Sequence, residues 1–436
     1  MRVNTDNNGL AKSPSGKQRS ALANLGVKKY PWLVVALLWF VALLNYMDRQ
    51  MLSTMRPSMM VDIEELASAA NFGRLMAIFL WIYALMSPIS GLIADRLNRK
   101  WLIIGSLFIW SSVTFLMAFA TNFEQLYALR AMMGISEAFY IPAGLSLIAD
   151  YHQGKTRSIA IGFHTTGIYL GQALGGFGAV VAGNFSWHTT FHIFGLIGIV
   201  YCLILILFLR EKKAYYTDNK KQSLKMEFSG MGKALLILLS NIAFWVILFY
   251  FSAPSLPGWA TKNWLPTLFS DTLGIDMMQA GPMATITIAL ASLVGVLSGG
   301  FLSDKWVQKN LKGRIFTGVI GLGLTIPALL FLAFGHNLVA IVSGALCFGL
   351  GFGMFDVNSM PILCQFVASR YRATAYGLMN LAGISAGAVI TNVLGKSLDA
   401  GNFKRDFALM AVVVVIAIVL NLTVLKPKYV DYPPAP

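Results

Sequence analysis

Charge is what this chain has least of. Only 12% of its 436 residues are Asp, Glu, Lys or Arg, about half the share found in soluble domains. Acids are the scarcer sign: 19 Asp and Glu stand against 34 Lys and Arg, a formal net charge of +15. Cysteine is nearly missing. Cys202, Cys347 and Cys364 all fall in apolar stretches, which excludes a disulfide framework and leaves them as small buried hydrophobes. His–Glu–x–x–His pairs and clustered metal ligands are lacking, and the Gly-rich stretches sit inside apolar runs without the spacing of an ATP-binding loop. No enzyme, no metal and no cofactor are therefore expected. A cleavable signal peptide is not expected either, because residues 1–30 are polar and basic and the apolar run after them is too long.

What fills the chain instead is hydrophobic: 56% of residues, divided into blocks of about 20, the length that crosses a bilayer. The fold class is an all-α membrane protein. Twelve spans are expected, at 31–55, 73–94, 101–120, 125–149, 158–183, 189–209, 234–257, 281–303, 315–334, 338–366, 373–396 and 404–425. Residues 1–30 form a polar tail that reads as disordered, 31–209 a first six-helix bundle, 210–233 a Lys-rich linker, 234–425 a second bundle and 426–436 a short tail. Twelve spans put both tails and the linker on one side. That side carries 26 Lys and Arg, while the other holds six, namely Arg56, Arg74, Lys262, Lys396, Lys404 and Arg405. Positive charge stays inside, so both termini are expected in the cytoplasm of a plasma (inner) membrane. Most of the +15 is then topology, and no nucleic-acid partner is expected.

The halves repeat. Gly91–Arg96 (GLIADR) after span 2 is echoed by Gly300–Lys305 (GFLSDK) after span 8. Arg157, Ala160 and Gly162 entering span 5 are echoed by Arg372, Ala375 and Gly377 entering span 11, and Pro142 and Pro361 hold similar places in spans 4 and 10. Two matching halves imply a transporter built by duplication, with its site between them.

Charges inside the spans are few and informative. Gln125–Pro142 (QLYALRAMMGISEAFYIP) holds only Arg130 and Glu137, seven residues apart and so on one helical face. A charge at membrane depth costs several kcal/mol without a partner or water, so this face has to look into a protein-lined cavity. A structural ion pair between helices is the plainer alternative. Span 1 carries Asn45-Tyr46-Met47-Asp48-Arg49. Asp48 lies roughly 27 Å along its helix and Arg130 about 9 Å from the opposite end of its own, at a rise of 1.5 Å per residue. The two are thus at similar depth and can meet. Arg49 projects about 100° away from Asp48, toward the cavity or toward Glu137. A carboxylate shielded from water holds its proton tightly, and a neighbouring guanidinium weakens that hold. An arginine that moves from carboxylate to substrate anion would couple proton and substrate binding by electrostatics alone, and guanidinium suits this because it grips a carboxylate bidentately.

The loop Gly91–Lys100 (GLIADRLNRK) between spans 2 and 3 resembles the cytoplasmic signature of the major facilitator superfamily, over about residues 30–425. That resemblance implies twelve helices in two pseudo-symmetric six-helix bundles working by alternating access. It also implies a conformational latch at Gly91, Asp95, Arg96, Arg99 and, in the echo, Asp304. The N-Y-x-D-R motif with Arg130 and Glu137 resembles the anion:cation symporter branch, whose members include sugar-acid and sialin-type carriers; spinster-type lysolipid carriers share a similar constellation. By that resemblance Asp48 and Glu137 are the proton-coupling acids. Arg49 binds a substrate carboxylate, with Arg130 as its companion and as the group that tunes the acids.

The function implied is a proton-driven symporter of a small organic anion such as a hexuronate, aldonate or sialic acid. A lysolipid carrier is the alternative, and an intramembrane enzyme a remote one. Partners expected are the anion, protons and membrane lipids, with the chain acting as a monomer. Further cavity-lining candidates are Tyr46, Tyr83, Tyr140, His164 and Tyr169 in the first half. In the second half they are Asn263, Trp264, Asp356, Asn358, Gln365 and Asn380, with Asp356, Asn358 and Pro361 pointing to an interrupted helix. Gly167, Gly171 and Gly175, four apart on span 5, predict close helix packing.

Overall fold

The computed structural model describes residues 16–94, 97–152, 155–211, 235–368 and 371–427. The first half runs α1 (Gly16–Met59), α2 (Ala69–Ala94), α3 (Arg99–Met117), α4 (Phe123–Glu137), α5 (Tyr140–Tyr151), α6 (Lys155–Gly175), α7 (Gly178–Asn184) and α8 (Trp187–Phe208). The second runs α9 (Ile242–Leu273), α10 (Met277–Val307), α11 (Gly313–Phe334), α12 (Leu338–Phe366), α13 (Arg372–Asp399) and α14 (Phe403–Val424). With α4–α5 and α6–α7 each counted as one broken span, these are the twelve expected. Eleven of the spans among the described residues are long and apolar enough to cross a membrane. The remaining one, α6–α7, is interrupted at Gly176 and carries His164, Thr165, Thr166 and Gln172.

The span boundaries differ from expectation at two places. α1 begins at Gly16, inside the polar tail. The seventh span is Ile242–Leu273 rather than 234–257, with Pro254, Pro257 and Pro266 inside it. Membrane helices tolerate such prolines because neighbouring helices and polar side chains re-satisfy the freed carbonyls; here Pro266 frees the Lys262 carbonyl, and Gln50 Nε2 of α1 donates to it at 2.8 Å. Lys262 therefore lies within a span and not in an outer loop, and the charge asymmetry becomes 26 to five.

Pro142 explains the break in the fourth span. It has no N–H for the Ala138 carbonyl and its ring crowds that turn, so α4 ends at Glu137 and α5 restarts at Tyr140. The second half lacks the counterpart: α12 passes Pro361 without interruption, so the broken helix expected around Asp356 is absent.

Glycines set the helix spacing where the sequence placed them. A methyl at Gly171 would lie 2.3 Å from Leu43 O, and those at Gly167 and Gly175 would meet Trp39 O and Gln50 Cβ at 2.6 and 2.5 Å. Backbone contact of α6 with α1 leaves no room for a side chain. Gly171→Leu is expected to push the helices apart and cost about 1–3 kcal/mol or more, read as a lower melting temperature of the purified protein; an unchanged melting temperature would show that the contact yields freely.

The two halves meet tightly at the end away from the termini. A methyl at Gly395 of α13 would be 2.4 Å from Ala69 O, and one at Gly73 of α2 would be 2.9 Å from Thr391 O. At Gly377, near the terminus end of α13, the corresponding distance to Pro88 Cα is 4.0 Å. On the other flank Gly176 faces Gly281, and Thr285 Oγ1 donates to Ala173 O at 2.9 Å. Asp399 completes the closure. Its carboxylate accepts from Ala69 N at 2.8 Å, Ala70 N at 2.9 Å and Ser68 Oγ at 2.8 Å, capping the first turn of α2 from the opposite half. The two bundles are closed on the far side and looser on the terminus side. Asp399→Ala removes these bonds, a loss of about 1–2 kcal/mol or roughly tenfold in the closure equilibrium. Spin labels at Val61 and Arg405 should report a new long-distance population; an unchanged distribution would reduce Asp399 to an ornament of the cap.

Candidate functional site

The site is built around Arg49 of α1. Its Nε donates to Glu137 Oε2 at 2.5 Å. Glu137 is completely buried, and its other oxygen, Oε1, has no partner among the described residues. The break after Glu137 frees the last turn of α4 to present this carboxylate inward. Three rings surround the guanidinium carbon: Tyr46 at 4.9 Å, Phe79 at 4.9 Å and Tyr83 at 4.6 Å, each attracting it by its π face. The pair is single-point, because neither terminal nitrogen of Arg49 has a hydrogen-bond partner among the described residues. Its terminal nitrogens keep their bonding capacity, although Nη2 is buried in this conformation.

Asp48 and Arg130 lie behind this pair. Both are buried and lie in the field of Glu137. They interact through space without closing an ion pair within 4.0 Å: Asp48 accepts only a 3.4 Å bond from Thr114, and Arg130 donates to Met133 Sδ at 2.9 Å and covers Phe79 at 4.8 Å. Two cations and two acids thus share one core, with only Arg49 and Glu137 joined directly. Asn45, fully buried on α1, lies against the Glu137 carboxylate without closing a short hydrogen bond among the described residues.

The second half answers with Asp356 on α12, exposed to the space between the halves. Tyr46, Tyr169 and Tyr376 feel its charge, and Asn380 lies beside Tyr376. Tyr46, Tyr83, Tyr169, Asp356 and Asn380 are thus brought together, with Tyr376 and Lys262 beside them.

Other candidates are used elsewhere. Tyr140 is fully buried and donates to Leu38 O at 2.6 Å; His164 Nε2 meets its hydroxyl at 2.8 Å, which ties α1, α5 and α6 together. Trp264 is fully buried, packs on Phe72 and Phe403 and donates to Thr391 O at 3.1 Å. Asn263 donates to Thr391 Oγ1, Asn358 to Met354 O and Gln365 to Leu311 O. Buried Tyr140, His164, Trp264, Asn358 and Gln365 are corrected from cavity lining to packing, because the Tyr140 hydroxyl, His164 Nε2, the Trp264 ring nitrogen and the amide nitrogens of Asn358 and Gln365 each meet a main-chain carbonyl or a neighbouring side chain.

Of the expected latch residues, Gly91, Arg99 and Asp304 are described. A methyl at Gly91 would meet nothing within 4 Å, so no neighbouring helix packs on it in this conformation. Arg99 pairs with Asp150, and Asp304 lies 3.8 Å from Arg314. Asp95 and Arg96 lie outside the described residues. The spacing Gly383-x-Ser385-x-Gly387, which in a strand–turn–helix context would resemble a nucleophile elbow, lies within uninterrupted α13, where Gly383 and Gly387 pack on Phe251 and Trp259.

A family model described as Major Facilitator Superfamily matches residues 38–392 and again 313–435. The chain belongs to that superfamily. This member of the Major Facilitator Superfamily is 26% identical over 422 residues to the hexuronate transporter of Escherichia coli K12, covering 92% of this chain and 95% of the relative. It is 25% identical over 413 residues to protein spinster homolog 1 of Xenopus laevis, covering 89% and 74%. A crystal structure of a bacterial homologue of the human lysosomal transporter Spinster, inward-facing and unoccupied, superposes with a TM-score of 0.76 at 22% identity, covering 94% of this chain and all of that one. The superfamily member described here is accordingly a multi-pass integral membrane protein with the fold of a transporter.

Proposed function

We propose that this protein is a proton-coupled symporter of a small organic anion, with a sugar acid such as a hexuronate as the first candidate. The observation that carries the reading is the single-point Arg49–Glu137 pair. It leaves the terminal nitrogens of Arg49 unpaired, Nη2 among them buried, beside a buried acid whose Oε1 makes no close hydrogen bond among the described residues. A substrate carboxylate that takes the fork displaces Glu137, which then accepts a proton in place of its ion pair. Asp48 and Arg130 keep the core near neutrality through the exchange. The similarity to a hexuronate transporter supports the anion class. With the termini in the cytoplasm, as the charge asymmetry favours, the conformation described is inward-facing.

The spinster relatives support a second reading, a lysolipid carrier using the same charges. A thermal-shift screen of the purified protein against hexuronates, aldonates, sialic acid and lysolipids separates the two. In proteoliposomes, uptake of the stabilising acid should follow an inward proton gradient and collapse with a protonophore. Accumulation that persists on a sodium gradient alone would overturn the coupling.

A further inference from the structure

The structure assigns Lys262 as the second half's jaw of the anion site: a hydroxylated carboxylic acid is held with its carboxylate between Arg49 and Lys262 and a hydroxyl on Asp356. This inference rests on the anion reading above and adds residues and a substrate feature to it.

Three observations carry it. First, Gln50, the residue after Arg49, donates from Nε2 to the backbone carbonyl of Lys262 at 2.8 Å. α1 and α9 therefore touch at this point, and Lys262 lies within the field of Arg49 from the opposite half. Second, both cations are dressed alike. Lys262 Nζ lies over Trp259 at 4.9 Å and near Phe352 at 5.8 Å, as Arg49 lies among Tyr46, Phe79 and Tyr83. Third, among the described residues neither Lys262 Nζ nor the Asp356 carboxylate has a hydrogen bond or an ion pair within 4.0 Å, although each feels the other. A lysine and an aspartate joined for structure alone would close that gap. Left apart, they offer three donors and an acceptor-only group to one molecule.

The electrostatics give the arrangement a direction. Two cations facing across the interface repel, and each is balanced only by its own half's acid, Glu137 for Arg49 and Asp356 for Lys262. A carboxylate placed between them turns that repulsion into attraction across the interface. The halves are then drawn together on the substrate, which is how a carrier closes over its load. Asp356 cannot donate while ionised, so it selects a hydroxyl from the same molecule, which favours hydroxy acids over simple fatty or alkyl acids.

Calorimetric titration of the full chain in nanodiscs tests this, using glucuronate, gluconate and hexanoate as probes. Wild type should bind at least one of the two hydroxy acids; if it binds neither, the anion reading fails and takes this inference with it. Given wild-type binding, Lys262→Gln should raise Kd at least about tenfold, with Lys262→Arg recovering most of it. Asp356→Asn should narrow the preference for the hydroxy acid over hexanoate. The decisive variant is the charge-balanced double, Lys262→Gln with Asp356→Asn. A purely structural pair predicts that removing both charges restores wild-type affinity, whereas the jaw predicts that the double stays weak. Restored affinity in the double, or a wild-type Kd in Lys262→Gln, overturns the assignment while leaving the anion reading of Arg49 intact.

Discussion

Glu137→Gln should yield a carrier that exchanges substrate but cannot accumulate it. The glutamine nearly matches the carboxyl in shape and stays neutral, so it stands for a permanently protonated Glu137. Arg49 is then released from its 2.5 Å ion pair, and substrate binding should persist. Substrate-for-substrate exchange needs only the loaded carrier to reorient, so it should continue. Net uptake requires the empty carrier to shed its proton and return, and it should fall to background. Removing one partner from a buried ion pair costs about 3–5 kcal/mol when the other charge is stranded, so a structural role predicts a different pattern: reduced expression, with exchange and net uptake falling together. Measuring both modes in the same liposomes separates the outcomes. Net uptake at the wild-type level would remove Glu137 from coupling and leave the task to Asp48.

Arg49→Lys should abolish or severely weaken anion binding although the charge is kept. Lysine supplies a point charge on a flexible stem in place of a planar fork. It can satisfy Glu137 or the substrate, but not through separate, fixed nitrogens as Arg49 does. It also loses the stacking of the planar guanidinium among Tyr46, Phe79 and Tyr83. Lysine forfeits at least one of the fork's two charge-assisted bonds, each worth about 1.5–3 kcal/mol, so a loss of at least about one to two orders of magnitude in affinity is expected. Near-wild-type binding would move the carboxylate to Arg130, whose Nε has no partner among the described residues.

Much of the fold was legible because membrane spans announce themselves by length and hydropathy, and because the halves repeat. Arg49 and Glu137 were legible for a related reason: a charge at membrane depth is too costly to be idle. What was hidden depended on neighbours. The prolines and polar residues around Lys262 read as the end of a helix, yet α9 continues through them, and with the boundary misplaced the lysine was counted as an outer-loop charge. Tyr140, His164 and Trp264 carry both an apolar body and a polar tip. Whether such a tip meets water or a carbonyl depends on which helix packs opposite, and the sequence does not print that. Asp399 gave no local signal at all, since its partner is the start of α2, over three hundred residues away.

The cap that Asp399 places on α2 has an evolutionary side. Two of its three bonds come from main-chain N–H groups, at Ala69 and Ala70, and those groups belong to every amino acid but one. Drift at either alanine leaves the bonding capacity untouched unless the newcomer is proline, whereas almost any change at position 399 ends it. Tolerance is therefore lopsided: one helix supplies half of an interlock that substitution can scarcely erase, and the other stakes everything on a single side chain. Saturation mutagenesis read out by transport should show this as a sharp intolerance at 399 facing two permissive columns, each with a hole at proline.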